Sequence, residues 1–324
     1  MKVFYRYLFI LLLLAMAGCA SADAATDASV TITPVVVESS AARPTDTGII
    51  VTATSPVPAK VNLPPTADLP ERPKPTLGPD AWSRMPVLPK LSPRAREILA
   101  EGITRGNNPR AFSKIGDCES QTDWFLDMYD LGPDHYSLGE YEALAPVIDY
   151  YKGSFGRTSL AARQGFTAAS LMSPIWADPQ QCEKGETPLA CEYRLHKPAV
   201  AFILVGTNDA VNPPTFEKHM RKAIEFSIAQ GVLPVLGTKA DNVEGDHEIN
   251  ATLARLAHEY ELPLWNYWLA VQDLPDQGLQ EDGAHLTFAA PFFDRPDALR
   301  RAWPVRNLNA LQVLDTLMEA SEQP

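Results

Sequence analysis

The stretch Ala199-Val200-Ala201-Phe202-Ile203-Leu204-Val205-Gly206-Thr207-Asn208-Asp209 decides the fold. Its first seven residues are apolar without alternation, the pattern of a strand covered on both faces, as in a parallel sheet. The run then breaks at Gly206 into three polar residues. In open parallel sheets the ligand crevice lies beyond the carboxyl ends of the strands. Thr207-Asn208-Asp209 therefore falls where such a sheet does its chemistry.

Working outward, the same punctuation recurs. Ser92 to Arg105 reads as a helix, with Ser92-Pro93 as N-cap and first position. Ala111 to Gly116 reads as the first strand, and Cys118 opens the next helix. Val147-Ile148-Asp149-Tyr150-Tyr151 reads as a second strand, followed by helix through Ala161-Ala162-Arg163. A glycine turn at Gly165 then leads into an apolar helix ending near Trp176. After the Ala199–Val205 strand, Phe216 to Gln230 reads as an amphipathic helix closed by Gly231. Val232 to Thr238 is a fourth strand, Ile249 to Tyr260 a helix, Leu262 to Asn266 a short fifth strand, and Asn307 to Glu319 the last helix. Strands alternating with helices at this spacing specify an α/β fold: a three-layer, doubly wound parallel sheet of five strands, flavodoxin-like in type.

Not all 324 residues belong to that fold. Lys2 and Arg6 precede an apolar run, Leu8 to Ala17, too short to span a bilayer, as in a signal peptide. The run ends in Met16-Ala17-Gly18-Cys19, which resembles a bacterial lipobox. On that reading residues 1–18 are removed, Cys19 carries the lipid, and the exported chain is held at the cell membrane or surface by that anchor alone. Residues 19–88 are rich in Ala, Thr and Pro, including Leu63-Pro64-Pro65, with no lasting period, and read as a disordered tether. The folded domain is expected over 89–324.

Forty acidic against 28 basic residues give a net charge of −12, with no basic stripe, which argues against nucleic acid as a partner. Four cysteines are present. Cys182 and Cys191 lie close together in a loop-like segment, and in an exported protein a local disulfide is their obvious use. Cys118 is then left unpaired, although a bond from Cys118 to either of the others stays open. The spacing of the histidines offers no converging metal ligands, and no cofactor is expected.

Two further segments carry candidate chemistry. Phe112-Ser113-Lys114-Ile115-Gly116-Asp117-Cys118 places a cysteine at a helix N-terminus, where positive potential favours the thiolate. A free cysteine is equally at home as a small buried filler. Asp282-Gly283-Ala284-His285, read as the entry of a helix, sets a carboxylate and an imidazole on one side, an arrangement that can orient the ring and stabilise its charged form.

Taken in order, Gly116-Asp117-Cys118, Gly165, Gly206-Thr207-Asn208-Asp209 and Asp282-Gly283-Ala284-His285 resemble the SGNH (GDSL-type) hydrolase superfamily. The resemblance runs from about Phe112 to Thr287. It implies that Cys118 stands in place of the family's nucleophilic serine, with His285 as base and Asp282 as its orienting partner. It further implies an oxyanion hole of the Cys118 N–H, the Gly165 N–H and the Asn208 amide. Asp209 would hold the Asn208 loop. Ser120 lies too far into the helix to replace Cys118. The expected activity is ester hydrolysis of a small-molecule or glycan substrate, including O-acyl groups of envelope or extracellular glycans. The alternative is an inactive lipoprotein that keeps the fold and binds a glycan or lipid.

Overall fold

The computed structural model describes residues 77–322. The expected leader, the Cys19 anchor and all but the end of the expected tether lie outside the described residues. Four strands form one parallel sheet in the order β1-β2-β3-β4: β1 Asn108–Gly116, β2 Pro198–Leu204, β3 Leu233–Gly237 and β4 Leu264–Trp265. The register runs Gly116 to Leu204, Ile203 to Leu236 and Gly237 to Trp265. Every residue of β2 and β3 is buried, so the sheet is covered on both faces, as the unbroken apolar runs require.

The helices are α1 Pro93–Thr104, α2 Cys118–Gln121, α3 Met128–Leu131, α4 Ala145–Tyr150, α5 Ala168–Leu171, α6 Pro188–His196, α7 Pro213–Ala229, α8 Glu248–Tyr260, α9 Tyr267–Val271 and α10 Ala302–Glu322. Of these, α1 and α10 pack on the sheet and on each other, whereas α6, α7 and α8 lie against β1, β3 and β3–β4. Among the described residues no helix is long and apolar enough to cross a membrane.

The sheet has four strands, not five. Val147-Ile148-Asp149-Tyr150-Tyr151 is not a strand but belongs to α4 and its C-cap. Pro146 stands in the first turn of that helix, and Val147, Ile148 and Tyr151 are buried while Asp149 is exposed, which is helical spacing. Where a further strand would pair on the far side of β1 there is a single parallel bridge, Gly116 to Ala162. The residues Ala161-Ala162-Arg163, expected to be helical, form this bridge. Side chains complete the edge instead: the Phe112 N–H donates to Ser154 Oγ at 3.4 Å and Arg157 Nη2 donates to the Phe112 carbonyl at 2.9 Å. Buried Glu192 of α6 fixes this edge, accepting from Ser113 Oγ, Arg157 Nη1 and the Leu160 N–H at 2.6, 2.6 and 2.8 Å. An edge satisfied this way needs no further strand.

The folded unit also begins before Pro89. Trp82 is buried against His247 and Trp268, and Asn266 Nδ2 donates to the carbonyls of Trp82 and Met85 at 2.9 Å each. The last helix starts at Ala302 rather than Asn307, because Pro304 fits a first turn where no N–H partner is needed.

Candidate active site

Gly116 ends β1 so closely against β2 that a Cβ there would stand 2.3 Å from both the Leu204 carbonyl oxygen and Ser120 Oγ. Only glycine fits. Asp117 follows as N-cap of α2, its Oδ1 accepting from the Glu119 N–H at 3.1 Å, and Cys118 is the first helical residue. Cys118 is free and partly exposed, and among the described residues its sulfur makes no hydrogen bond. Ser120 is buried beneath Gly116 with its Oγ unpartnered, facing the interior rather than the crevice.

The helix terminus does not make Cys118 a thiolate. Burial, then the carboxylates of Asp117 and Glu119, push the thiol up from 9.0 to about 11. The Glu119 and Cys118 N–H groups pull the other way and lose. α2 is a single turn, so little dipole opposes the desolvation.

Glu119 carries a feature that no local pattern announces. Its Oε2 accepts from Arg306 Nη1 of α10 at 2.8 Å, and that guanidinium lies 4.8, 5.3 and 5.4 Å from the ring centres of Phe125, Tyr267 and Trp303. Burial nonetheless raises Glu119 from 4.5 to about 7 and Asp117 from 3.8 to about 6, Arg306 opposing both. A cavity of about 20 Å³ between Asp117, Glu119, Thr207, Lys239 and Arg306 is large enough for one water. It adjoins unpartnered Glu119 Oε1 and Arg306 Nε. The only sequence signal for Arg306 is a charge directly after the apolar run Ala302–Val305.

Asp282 and His285 lie in a turn, not at the entry of a helix. Asp282 Oδ1 accepts from the Ala284 and His285 N–H groups at 3.0 Å each, and Oδ2 lies 2.6 Å from His285 Nδ1. This hydrogen bond holds Asp282 down at about 2 and raises His285. Glu119 and Asp117 add to the rise, so the imidazole lies within electrostatic range of both carboxylates that flank Cys118. No hydrogen bond joins it to the sulfur. The loop is fixed from both sides: Thr287 N–H donates to the Gly278 carbonyl, and the Ala302 and Trp303 N–H groups donate to Thr287 Oγ1 and its carbonyl, at 2.8, 3.0 and 3.1 Å.

The other two segments are tied to the first. The Gln164 N–H donates to Gln121 Oε1 of α2 at 2.8 Å, and Asn208 Nδ2 donates to the Phe166 carbonyl at 3.0 Å. Gly165 lies between them at φ +80°, a left-handed turn that suits glycine. One Asn208 N–H is therefore spent on the loop, leaving its second. Asp209 is buried and accepts from the Ala168 N–H at the start of α5, and burial raises it to about 6. Thr207 Oγ1 donates to Asp241 Oδ2 at 2.7 Å, and Asp241 in turn pairs with Lys239. Cys118, Gly165 and Asn208 thus share one stitched group of loops.

Cys182 and Cys191 are disulfide-bonded, which consumes the group Cys182, Glu186 and Cys191 that could otherwise hold a cation.

Among solved structures, a protein from Desulfitobacterium hafniense DCB-2, described as of the G-D-S-L lipolytic family, is similar at TM-score 0.40 and 15% identity, over 63% of this chain and 99% of that one. No family model and no curated protein matches the chain.

Proposed function

We propose that the chain is an ester hydrolase with Cys118 as nucleophile, His285 as general base and Asp282 as the residue that orients it. The observation that carries this reading is the Asp282–His285 pair, locked at 2.6 Å by a carboxylate that also binds two backbone N–H groups, within electrostatic range of the two carboxylates, Asp117 and Glu119, on either side of the free Cys118. In the first step the His285 Nε2 takes the thiol proton as sulfur attacks the ester carbonyl carbon. Negative charge then develops on the carbonyl oxygen, which the Cys118 N–H, the Gly165 N–H and the free Asn208 N–H would receive. One such donor is worth about 3 kcal/mol. Collapse returns the proton from His285 to the departing alcohol and leaves an acyl-cysteine, which water hydrolyses by the same route. The protein would work outside the cytoplasm, held to the membrane through Cys19.

Hydrolysis of p-nitrophenyl acetate by the chain is compared with that of Cys118→Ala and His285→Ala. Turnover is expected to fall to background in both. Equal turnover in all three removes the proposal.

One observation favours the second reading, a binding protein without chemistry. The thiol is held at about 11 and has no hydrogen bond to His285. An unreactive Cys118, with a glycan bound in the crevice and no acyl release, would establish it.

A further inference from the structure

We infer that the groove walled by Phe288, on the segment that leaves His285, is the subsite for the alcohol part of the ester, and that it takes a carboxylated sugar chain. The inference rests on the hydrolase reading only for the position of the bond to be cleaved.

Trp124 and Phe288 are 47% and 50% exposed, yet their rings lie against each other, centres 4.6 Å apart, with Trp303 edge-on behind Trp124. Trp124 is on the chain leaving the Cys118 helix and Phe288 on the chain leaving His285. The two rings therefore form a small platform joining the candidate nucleophile and base segments. Contiguous exposed apolar surface rimmed by polar residues is what a ligand groove presents.

Phe288 is also one wall of a groove of about 460 Å³, completed by Pro275, Ala289, Asp297, Arg300 and Arg301. Both arginines are exposed, and neither side chain has an ion pair or hydrogen bond among the described residues. Asp297 is the only carboxylate in the lining. In a chain of net charge −12, two adjacent unpaired guanidinium groups in one groove with a single carboxylate give the lining the opposite sign. Guanidinium binds carboxylate through two parallel N–H donors, and the aromatic face accepts the apolar face of a flat ring.

The test uses the chain carrying Cys118→Ala, so that nothing is turned over. Binding of oligogalacturonate, of neutral cellohexaose and of phosphatidylglycerol vesicles is followed by tryptophan fluorescence and calorimetry. Oligogalacturonate is expected to bind, more weakly as salt rises. Arg300→Gln with Arg301→Gln should weaken it about tenfold, equivalent to about 1.4 kcal/mol, and Trp124→Ala should remove most of the fluorescence response. Equal affinity for cellohexaose, no effect of the double substitution, binding to vesicles alone, or no binding at all would each overturn the inference. Because the readout needs no chemistry, an inactive chain that still binds the acidic glycan sinks only the hydrolase. An active esterase that ignores the glycan sinks only this subsite.

Discussion

The Cys118 thiol should react slowly and keep accelerating as pH rises. Burial together with Asp117 and Glu119 moves it from 9.0 to about 11. Two pH units remove about 100-fold of the thiolate at neutral pH, since each unit is a factor of ten. The thiolate that remains is the stronger nucleophile, by roughly 6–10-fold for a Brønsted coefficient of about 0.4–0.5. Exchange with a small aromatic disulfide should therefore run about 10–16-fold slower than for an unperturbed thiol. The rate is measured by stopped-flow absorbance from pH 5 to 10, with Cys118→Ala run in parallel to subtract any reaction at Cys19. It should climb about tenfold per unit without a plateau. Glu119→Gln adds a second signature. Glu119 titrates at about 7, so it is largely neutral below that pH and bears charge above it. The substitution should leave the rate unchanged in acid and raise it above pH 7. A plateau between pH 5 and 7 that disappears in His285→Ala would refute the reasoning, because it would mean a standing thiolate–imidazolium pair.

Asp282→Asn should cut aryl-ester turnover by as much as about 10⁴-fold. It should also shift the acid limb of the rate profile to lower pH, since Asp282 is what raises His285; an unmoved limb would mean another base. The Glu119 carboxyl, raised from 4.5 unfolded to about 7 folded, gives stability that is present below pH 4.5 and lost as pH rises through 7, about 3 kcal/mol in all. Urea titrations of Glu119→Gln should show a flatter dependence over that window, and a curve parallel to wild type would contradict the assignment. Arg306→Met strands Glu119 without its partner and should cost about 3–5 kcal/mol at pH 8, less at pH 5, where Glu119 is neutral. Replacing both Cys182 and Cys191 by serine opens a loop with a sequence separation of 9. By chain entropy that costs about 2.7 kcal/mol, read as a lower urea midpoint; an unchanged midpoint would show the bond constrains nothing.

Two kinds of information in this fold differ in how far along the chain they reach. β2 was legible because burial on both faces writes itself as an uninterrupted apolar run, and Gly206-Thr207-Asn208-Asp209 because a parallel strand must end in polar residues at the crevice. The disulfide was legible because its cysteines are near neighbours. Val147–Tyr151 misled because a β-branched pair followed by two aromatic residues looks extended, and only the burial of residues 147, 148 and 151 around exposed Asp149 shows the helical face. The missing strand could not be anticipated, since its place is taken by Ser154, Arg157 and Glu192, side chains from two segments far apart along the chain. Arg306 was illegible for the same reason: its partner Glu119 is 187 residues away. The thiol was misjudged by reading the helix terminus alone, when the residues on either side of the sulfur, in Gly-Asp-Cys-Glu, are both carboxylic acids.

That local sequence bears on how sulfur would be used under the hydrolase proposal. A cysteine pushed up to about 11 does not give up its proton in advance, even to an imidazole that Asp282 raises. The transfer must then be coupled to attack, with the cost offset by charge stabilisation at the new oxyanion. Each preorganised donor is worth about 3 kcal/mol, and the proposed oxyanion hole would supply three: the Cys118, Gly165 and remaining Asn208 N–H groups. The two carboxylates beside the sulfur therefore need not abolish chemistry. They move it from a standing ion pair to a serine-like mode, in which the nucleophile is charged only during the reaction and the resting thiol is less open to oxidation.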